Sequence, residues 1–155
     1  MVDPEKFLNK CVGKWQGIVR TWFEPGKLVD ESKVSGEIVP LLNGNFFRHT
    51  YEGSMKGKPR KGEETLAMNG VTKNFQISWF DDFHMSNAIL FSEGNEIERG
   101  FSVSGKYDWA AGEPQGGWRT EYELIDENHL TITAYNIMGD EESKAVETVY
   151  ERVKQ

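Results

Sequence analysis

Cysteine and positive charge are both scarce in this sequence, and each shortage narrows the classes of protein to consider. A single cysteine, Cys11, excludes an internal disulfide, so nothing in the chain requires an oxidising compartment. Lysine and arginine number 18 against 25 acidic residues, which gives a formal net charge of −7. This balance argues against nucleic acid and anionic membrane surfaces as partners.

Long apolar runs are missing too, since no stretch approaches the ~20 residues of a membrane-spanning helix. The first residues, Met1 to Lys6, lack the apolar region of a secretory signal peptide. We therefore expect a cytoplasmic protein that does not insert into a membrane. The length of 155 residues fits one domain with one core, and we take residues 1–155 as that domain.

Common catalytic and cofactor motifs are also missing. No glycine-rich phosphate loop opens a helix, no G-x-S-x-G turn occurs, and Cys11 has no partner suggestive of a nucleophile. We assign no catalytic residue, no metal ligand and no cofactor from the sequence.

What the chain does contain begins with a short amphipathic helix, predicted over residues 3–12. Asp3 is a favourable N-cap and Pro4 fits the first helical position. Val2 and Phe7 occupy the two positions of a hydrophobic staple, and Gly13 supplies the stop. A helix this short needs a surface to pack on, and its apolar face consists of Phe7, Leu8, Cys11 and Val12.

From Lys14 onward polar and apolar residues alternate, and turn signals recur at regular intervals. Short, evenly spaced strands with short connections predict an all-β protein, a closed antiparallel up-and-down barrel of about ten strands over residues 14–154. The predicted turns lie at residues 24–27, 43–45, 56–59, 69–70, 81–82, 93–95, 112–117, 126–128 and 139–140.

Closure of such a barrel requires its first and last strands to pair, because pairing removes both free edges. Residues 13–17 and 148–152 suit this seam. We predict that these two segments pair and close the barrel.

The alternation also assigns inward faces to four strands. These faces combine large rings with a few polar groups, a mixture typical of a ligand cavity; alternatively, the polar groups bond to one another or to trapped water. Arg99 is the predicted interior charge, and Asp81 is its predicted partner, which would leave the cavity neutral. The predicted ligand-binding residues are Trp79, Asp81, Arg99, Phe101, Trp118, Tyr122, Thr148 and Tyr150.

Three other features have competing interpretations. Residues 81–84 could be a metal or acid/base cluster, but adjacent aspartates on a strand point to opposite faces, which favours a turn. The histidines, His49 included, could hold haem, although ordinary polar roles are commoner. A basic run could dock an anion, but a solvated loop is favoured; its members are Lys56, Lys58, Arg60 and Lys61.

Several segments carry a family resemblance. Gly13-Lys14-Trp15 resembles the Gly-x-Trp signature of lipocalins and their calycin relatives, in which the tryptophan closes the barrel floor beneath a basic residue of the last strand. This resemblance implies that Trp15 and Arg152 meet and close the barrel, with the guanidinium over the indole ring. Residues 149–153 resemble the last strand of fatty-acid-binding proteins. Over nearly its full length the chain is similar to an uncharacterised bacterial family with a lipocalin-like barrel. This match runs through residues 8–17, 42–46, 51–53, Gly62, Trp79, Asp81 and 126–131, and ends in a Tyr-x-Arg motif.

The resemblance implies a barrel that binds a small molecule. Fatty-acid-binding proteins carry a carboxylate-gripping arginine where this chain has Thr148, so we expect an uncharged, mostly apolar ligand. The alternatives are an enzyme acting on a small hydrophobic substrate through Asp81, Tyr122 or Arg99, a haem or gas binder, and a filled barrel that is structural or forms a homodimer.

Overall fold

The computed structural model describes residues 4–154, and the side chains of residues 6–154. Its helix α1 begins at Pro4, so the predicted capping roles of Val2 and Asp3 lie outside the described residues. A short 3₁₀ turn, Leu42–Gly44, separates the second and third strands. The elements are α1 (Pro4–Cys11), β1 (Gly13–Glu24), β2 (Lys27–Leu41), β3 (Phe46–Met55), β4 (Lys58–Met68), β5 (Phe75–Asp81), β6 (Leu90–Ile97), β7 (Gly100–Tyr107), β8 (Gly116–Asp126), β9 (His129–Met138) and β10 (Glu141–Arg152).

The ten strands form a closed antiparallel barrel in which each strand pairs with its neighbours in the chain and β1 pairs with β10. The predicted fold class is therefore confirmed. At the seam Trp15 lies opposite Arg152, and the pairing continues to Thr21 opposite Val146. Closure leaves no strand of the barrel with a free edge. Among residues 4–154, no helix has the length and apolar character needed to cross a membrane.

Helix α1 covers one end of the barrel, which we call the floor. Phe7 and Cys11 are fully buried, because the apolar face of α1 turns toward the interior, as its sequence pattern predicts. The Phe7 ring meets Phe101 edge-on at 5.8 Å between centroids, and Phe101 stacks on Phe75 at 4.4 Å. This packed aromatic layer supplies the surface that so short a helix requires.

The predicted contact between Trp15 and Arg152 is present at the floor. The guanidinium carbon lies 4.3 Å from the centroid of the indole ring. Arg152 also donates hydrogen bonds to the carbonyls of Lys10, Val12 and Glu127. The Trp15 indole donates from Nε1 to the Cys11 carbonyl at 2.9 Å. One side-chain pair thus ties together α1, the first strand and the last strand.

The turn predicted at residues 93–95 is wrong. Strand β6 runs through these residues, and the chain reverses at Glu98 and Arg99 instead. Gly94 is a strand glycine: a Cβ there would lie 2.0 Å from the Ser102 carbonyl oxygen of β7. The glycine therefore marks a close approach of two backbones, which glycine alone permits within a strand.

This difference also overturns the prediction for Arg99. In place of an inward strand position, Arg99 occupies the exposed β6–β7 turn at the floor end. It therefore does not line the interior and does not pair with Asp81, whose carboxylate bonds within its own loop.

Candidate functional site

The interior of the barrel contains a cavity with about 60 Å³ of free space. A single water molecule needs roughly 10–15 Å³ of such free space, so the interior is not completely filled. The cavity lies between the aromatic floor and the opposite end of the barrel, which we call the mouth. Its apolar lining comes from β1, β2, β9 and β10, through Val19, Val34, Ile132, Ala134 and Val146.

A buried polar cluster borders the cavity on the floor side. It consists of His49, Glu64, Tyr122 and Tyr150, all at most 7% exposed. His49 Nδ1 lies 2.8 Å from Glu64 Oε1, and Nε2 lies 2.9 Å from the Tyr150 hydroxyl. The Tyr122 hydroxyl donates to the same Glu64 oxygen. Both ring nitrogens of His49 therefore have partners.

The local sequence explains why these groups meet. Antiparallel pairing places His49 of β3 directly opposite Glu64 of β4. The register follows from the two-residue turn Lys56-Gly57, whose φ angles of 52° and 80° suit a tight hairpin. Side chains opposite each other on one face are close enough to bond.

Burial gives the two cluster tyrosines a fixed protonation state. Burial raises the pKa of Tyr122 well above its ordinary value, and the negative charge of Glu64 raises it further. The pKa of Tyr150 is raised by the same two causes. Both phenols therefore stay protonated at neutral pH and act as hydrogen-bond donors.

Two indoles form the aromatic part of the site nearer the mouth. The rings of Trp79 on β5 and Trp118 on β8 stack with centroids 5.3 Å apart. The His84 ring lies against both, at 5.8 Å from Trp79 and 5.4 Å from Trp118. The Trp79 indole donates from Nε1 to the Tyr51 hydroxyl at 2.9 Å. These contacts hold flat apolar surfaces against the cavity.

The loop of residues 82–89, between β5 and β6, lies across the mouth. Its Phe83 ring stacks on Phe23 at 6.0 Å between centroids. Phe23 lies on β1, and β1 is four positions away from β5 around the barrel. A loop that reaches that far must cross the open end, and we call it the mouth loop.

Asp81 anchors this loop, as the turn interpretation of residues 81–84 predicts. Its carboxylate accepts hydrogen bonds from the Met85 backbone at 2.6 Å and from His84 Nδ1 at 3.2 Å. Burial acts to raise the pKa of Asp81, but these hydrogen bonds and the nearby histidine outweigh it, so the pKa is lowered. The adjacent Asp82 points the other way and accepts from the Lys61 backbone.

Arg60 departs from the solvated-loop interpretation. Its three neighbours in the basic run are exposed, but Arg60 itself is only 5% exposed and lines the cavity near the mouth. Nη1 donates to the Thr21 hydroxyl at 3.1 Å, and the guanidinium lies 5.3 Å from the Phe83 ring. The alternation of residues along β4 indicates an inward position for Arg60, because Arg60 and Glu64 share a face with buried Leu66.

The predicted ligand-binding residues divide by position. Trp79, Trp118, Thr148 and Tyr150 border the cavity, whereas Phe101 and Tyr122 are fully buried, with Phe101 in the floor layer. Asp81 faces the mouth loop, and Arg99 lies outside. Sequence reasoning missed the cavity-lining residues His49, Tyr51, Arg60, Glu64 and His84.

A family model described as "Protein of unknown function (DUF1579)" matches residues 2–152. The chain belongs to this family. The search of curated proteins gave no match.

Two solved structures show how the DUF1579 chain compares in fold. One is Rv2717c from M. tuberculosis, with a TM-score of 0.71 and 14% identity over 99% of both chains. The other is the S-type phycobiliprotein lyase CPES from Guillardia theta, with a TM-score of 0.67 and 13% identity over 99% of this chain and 94% of that one. At these identities the likeness concerns the fold.

Proposed function

We propose that this barrel binds a small, mostly apolar molecule in its interior cavity. The observation that carries the proposal is the stacked pair Trp79 and Trp118 at the edge of unfilled space. Large aromatic faces with a few fixed polar groups are the usual composition of a small-molecule site. The fold is also similar to that of a protein named as a phycobiliprotein lyase. This similarity supports a functional role for the barrel but does not indicate the ligand.

The size of the cavity constrains how a ligand enters. About 60 Å³ of free space accommodates a few waters or a small group, so a larger apolar body must displace the mouth loop. The contacts that such a movement must break include Phe83 on Phe23, His84 on the two indoles, and the hydrogen bonds to Asp81. Loop movements of this kind commonly gate enclosed sites.

Binding fits the polar cluster better than catalysis does. The cluster places a histidine beside a carboxylate, which is the observation that favours an enzyme. A general base, however, needs a nitrogen that faces the substrate, and both His49 nitrogens already contact Glu64 or Tyr150. Tyr122 is protonated at neutral pH, so it does not serve as a base there.

The test is titration with Nile red, an uncharged dye that fluoresces in apolar surroundings. We expect saturable binding by the wild-type protein, weakened about tenfold in Trp79→Leu and Trp118→Leu, a loss of ~1.4 kcal/mol. The matched control is Trp22→Leu, because the Trp22 ring meets exposed Lys144 on the outer surface. Absence of saturable binding, or equal weakening in the control, would contradict the proposal; absence favours the filled barrel.

A further inference from the structure

We propose that Arg60 is an anion-recognition point, so that the ligand is an organic acid with a carboxylate head and an apolar body. This inference rests on the proposed binding function and replaces the uncharged ligand expected from the sequence. It starts from an arginine that is 95% buried without a counter-charge. Among the side chains of residues 6–154, no carboxylate forms an ion pair with the Arg60 guanidinium, and its hydrogen-bond partner is the neutral hydroxyl of Thr21.

A buried cation in such surroundings is unfavourable unless an anion or several acceptors compensate it. Contact with the Phe83 ring offsets a part of that cost. The guanidinium has five N–H donors in a planar fork, and Thr21 accepts one of them. Arg60 lines the cavity, and a carboxylate matches the guanidinium fork with two parallel hydrogen bonds.

Tyr51 supplies a second donor beside the same cavity. Its hydroxyl oxygen accepts from the Trp79 indole, and in the described part of the chain no acceptor takes its own hydrogen. Burial raises the pKa of Tyr51 well above its ordinary value, and the charges of Glu64 and Asp81 raise it further. The phenol therefore keeps its hydrogen and can donate it to a carboxylate oxygen.

The positions along β4 orient the ligand. Arg60 lies near the mouth and Glu64 lies four residues deeper on the same face, a separation of about 13 Å at 3.3 Å per residue. Glu64 therefore lies deeper in the barrel than an acidic head bound at Arg60. The apolar body then points inward between the two indoles and the aliphatic lining, while the head stays beneath the mouth loop.

Competition against bound Nile red tests the inference with octanoate and its uncharged counterpart, 1-octanol. At neutral pH we expect the wild-type protein to bind octanoate about tenfold more tightly than octanol. Arg60→Met should abolish this preference, so that octanoate and octanol displace the dye with similar affinities. Arg99→Met is the matched control, because it removes an exposed arginine at the opposite end of the barrel, and it should keep the preference.

The outcomes separate this inference from the proposed function. If Nile red binds but the wild-type protein does not prefer octanoate, or the preference survives in Arg60→Met, the anion site is wrong and the binding function stands. If Nile red does not bind, both fail. If Arg60→Met does not fold, the inference is tested by the preference of the wild-type protein for octanoate over octanol and by the NMR signal of the Arg60 Nε–H. That signal should shift with octanoate and stay in place with octanol.

Discussion

Arg152 and Trp15 lie in direct contact, with the guanidinium carbon 4.3 Å from the ring centroid, although they belong to the last and first strands of the barrel. The guanidinium simultaneously binds the carbonyls of Lys10 and Val12 at the end of α1. A backbone carbonyl at a helix end needs such a donor. The pair therefore closes the barrel and fixes the helix over it.

Replacing the two partners should have unequal effects on stability. Trp15→Ala should lower the free energy of unfolding by about 3–5 kcal/mol, because it leaves a void in a packed interior. Arg152→Lys keeps the charge but loses the forked contacts, so we expect a loss of about 1–2 kcal/mol. Urea unfolding followed by circular dichroism measures both. Equal losses would show that the indole is not the main contributor.

Gly94 should tolerate no side chain. In Gly94→Ala the new methyl group would meet a backbone oxygen of β7 at 2.0 Å, and a backbone atom within a sheet cannot move aside easily. We expect a loss of about 1–3 kcal/mol, measured by urea unfolding. The control is Gly70→Ala, where no atom lies within 4 Å of the added group. A stable Gly94→Ala protein would argue against the close approach of β6 and β7.

Haem should not acquire His49 as an axial ligand. Both ring nitrogens are within 2.9 Å of hydrogen-bond partners, and iron binding would require breaking one of these buried contacts. We expect no Soret shift of the histidine-ligated kind when haem is added to the purified protein. A stoichiometric shift that disappears in His49→Ala would overturn this expectation and favour the haem or gas binder.

Asp81 should stabilise the protein in a pH-dependent way. Its pKa in the folded protein is lowered by the hydrogen bonds from His84 and Met85, which outweigh the opposing effect of burial. Because the pKa of Asp81 is lower in the folded than in the unfolded protein, its ionised carboxylate stabilises the folded state above the unfolded pKa, roughly pH 4. This stabilisation disappears as the pH falls through the folded pKa.

Comparing the wild-type protein with Asp81→Asn by urea unfolding across the acid range checks this dependence. We expect a wild-type advantage of about 1–3 kcal/mol at neutral pH, shrinking below about pH 4. Asp140→Asn, in the exposed β9–β10 turn, is the control and should show no comparable change. An advantage for the wild-type protein that is constant with pH would argue against an ionised Asp81.

The sequence was sufficient for the barrel and its seam, because alternation and turn spacing reflect physical constraints on every strand. It misassigned the two arginines for local reasons. Gly94 resembles a turn residue, so the turn was predicted too early and Arg99 was assigned to the following strand. Three neighbouring lysines made Arg60 resemble part of a solvated loop. The pairing of His49 with Glu64 required the β3–β4 register, which the hairpin at Lys56-Gly57 could have supplied.

The β1–β10 pairing has a consequence for how the protein is made. Arg152 and Val12 bond across 140 residues of chain, so the final contact cannot form until the ribosome has synthesised the last strand. Until then β1 and β9 each present an open edge, and such edges can pair with another nascent chain. We therefore expect the yield of native protein to rise when synthesis is slowed and nascent chains are kept dilute.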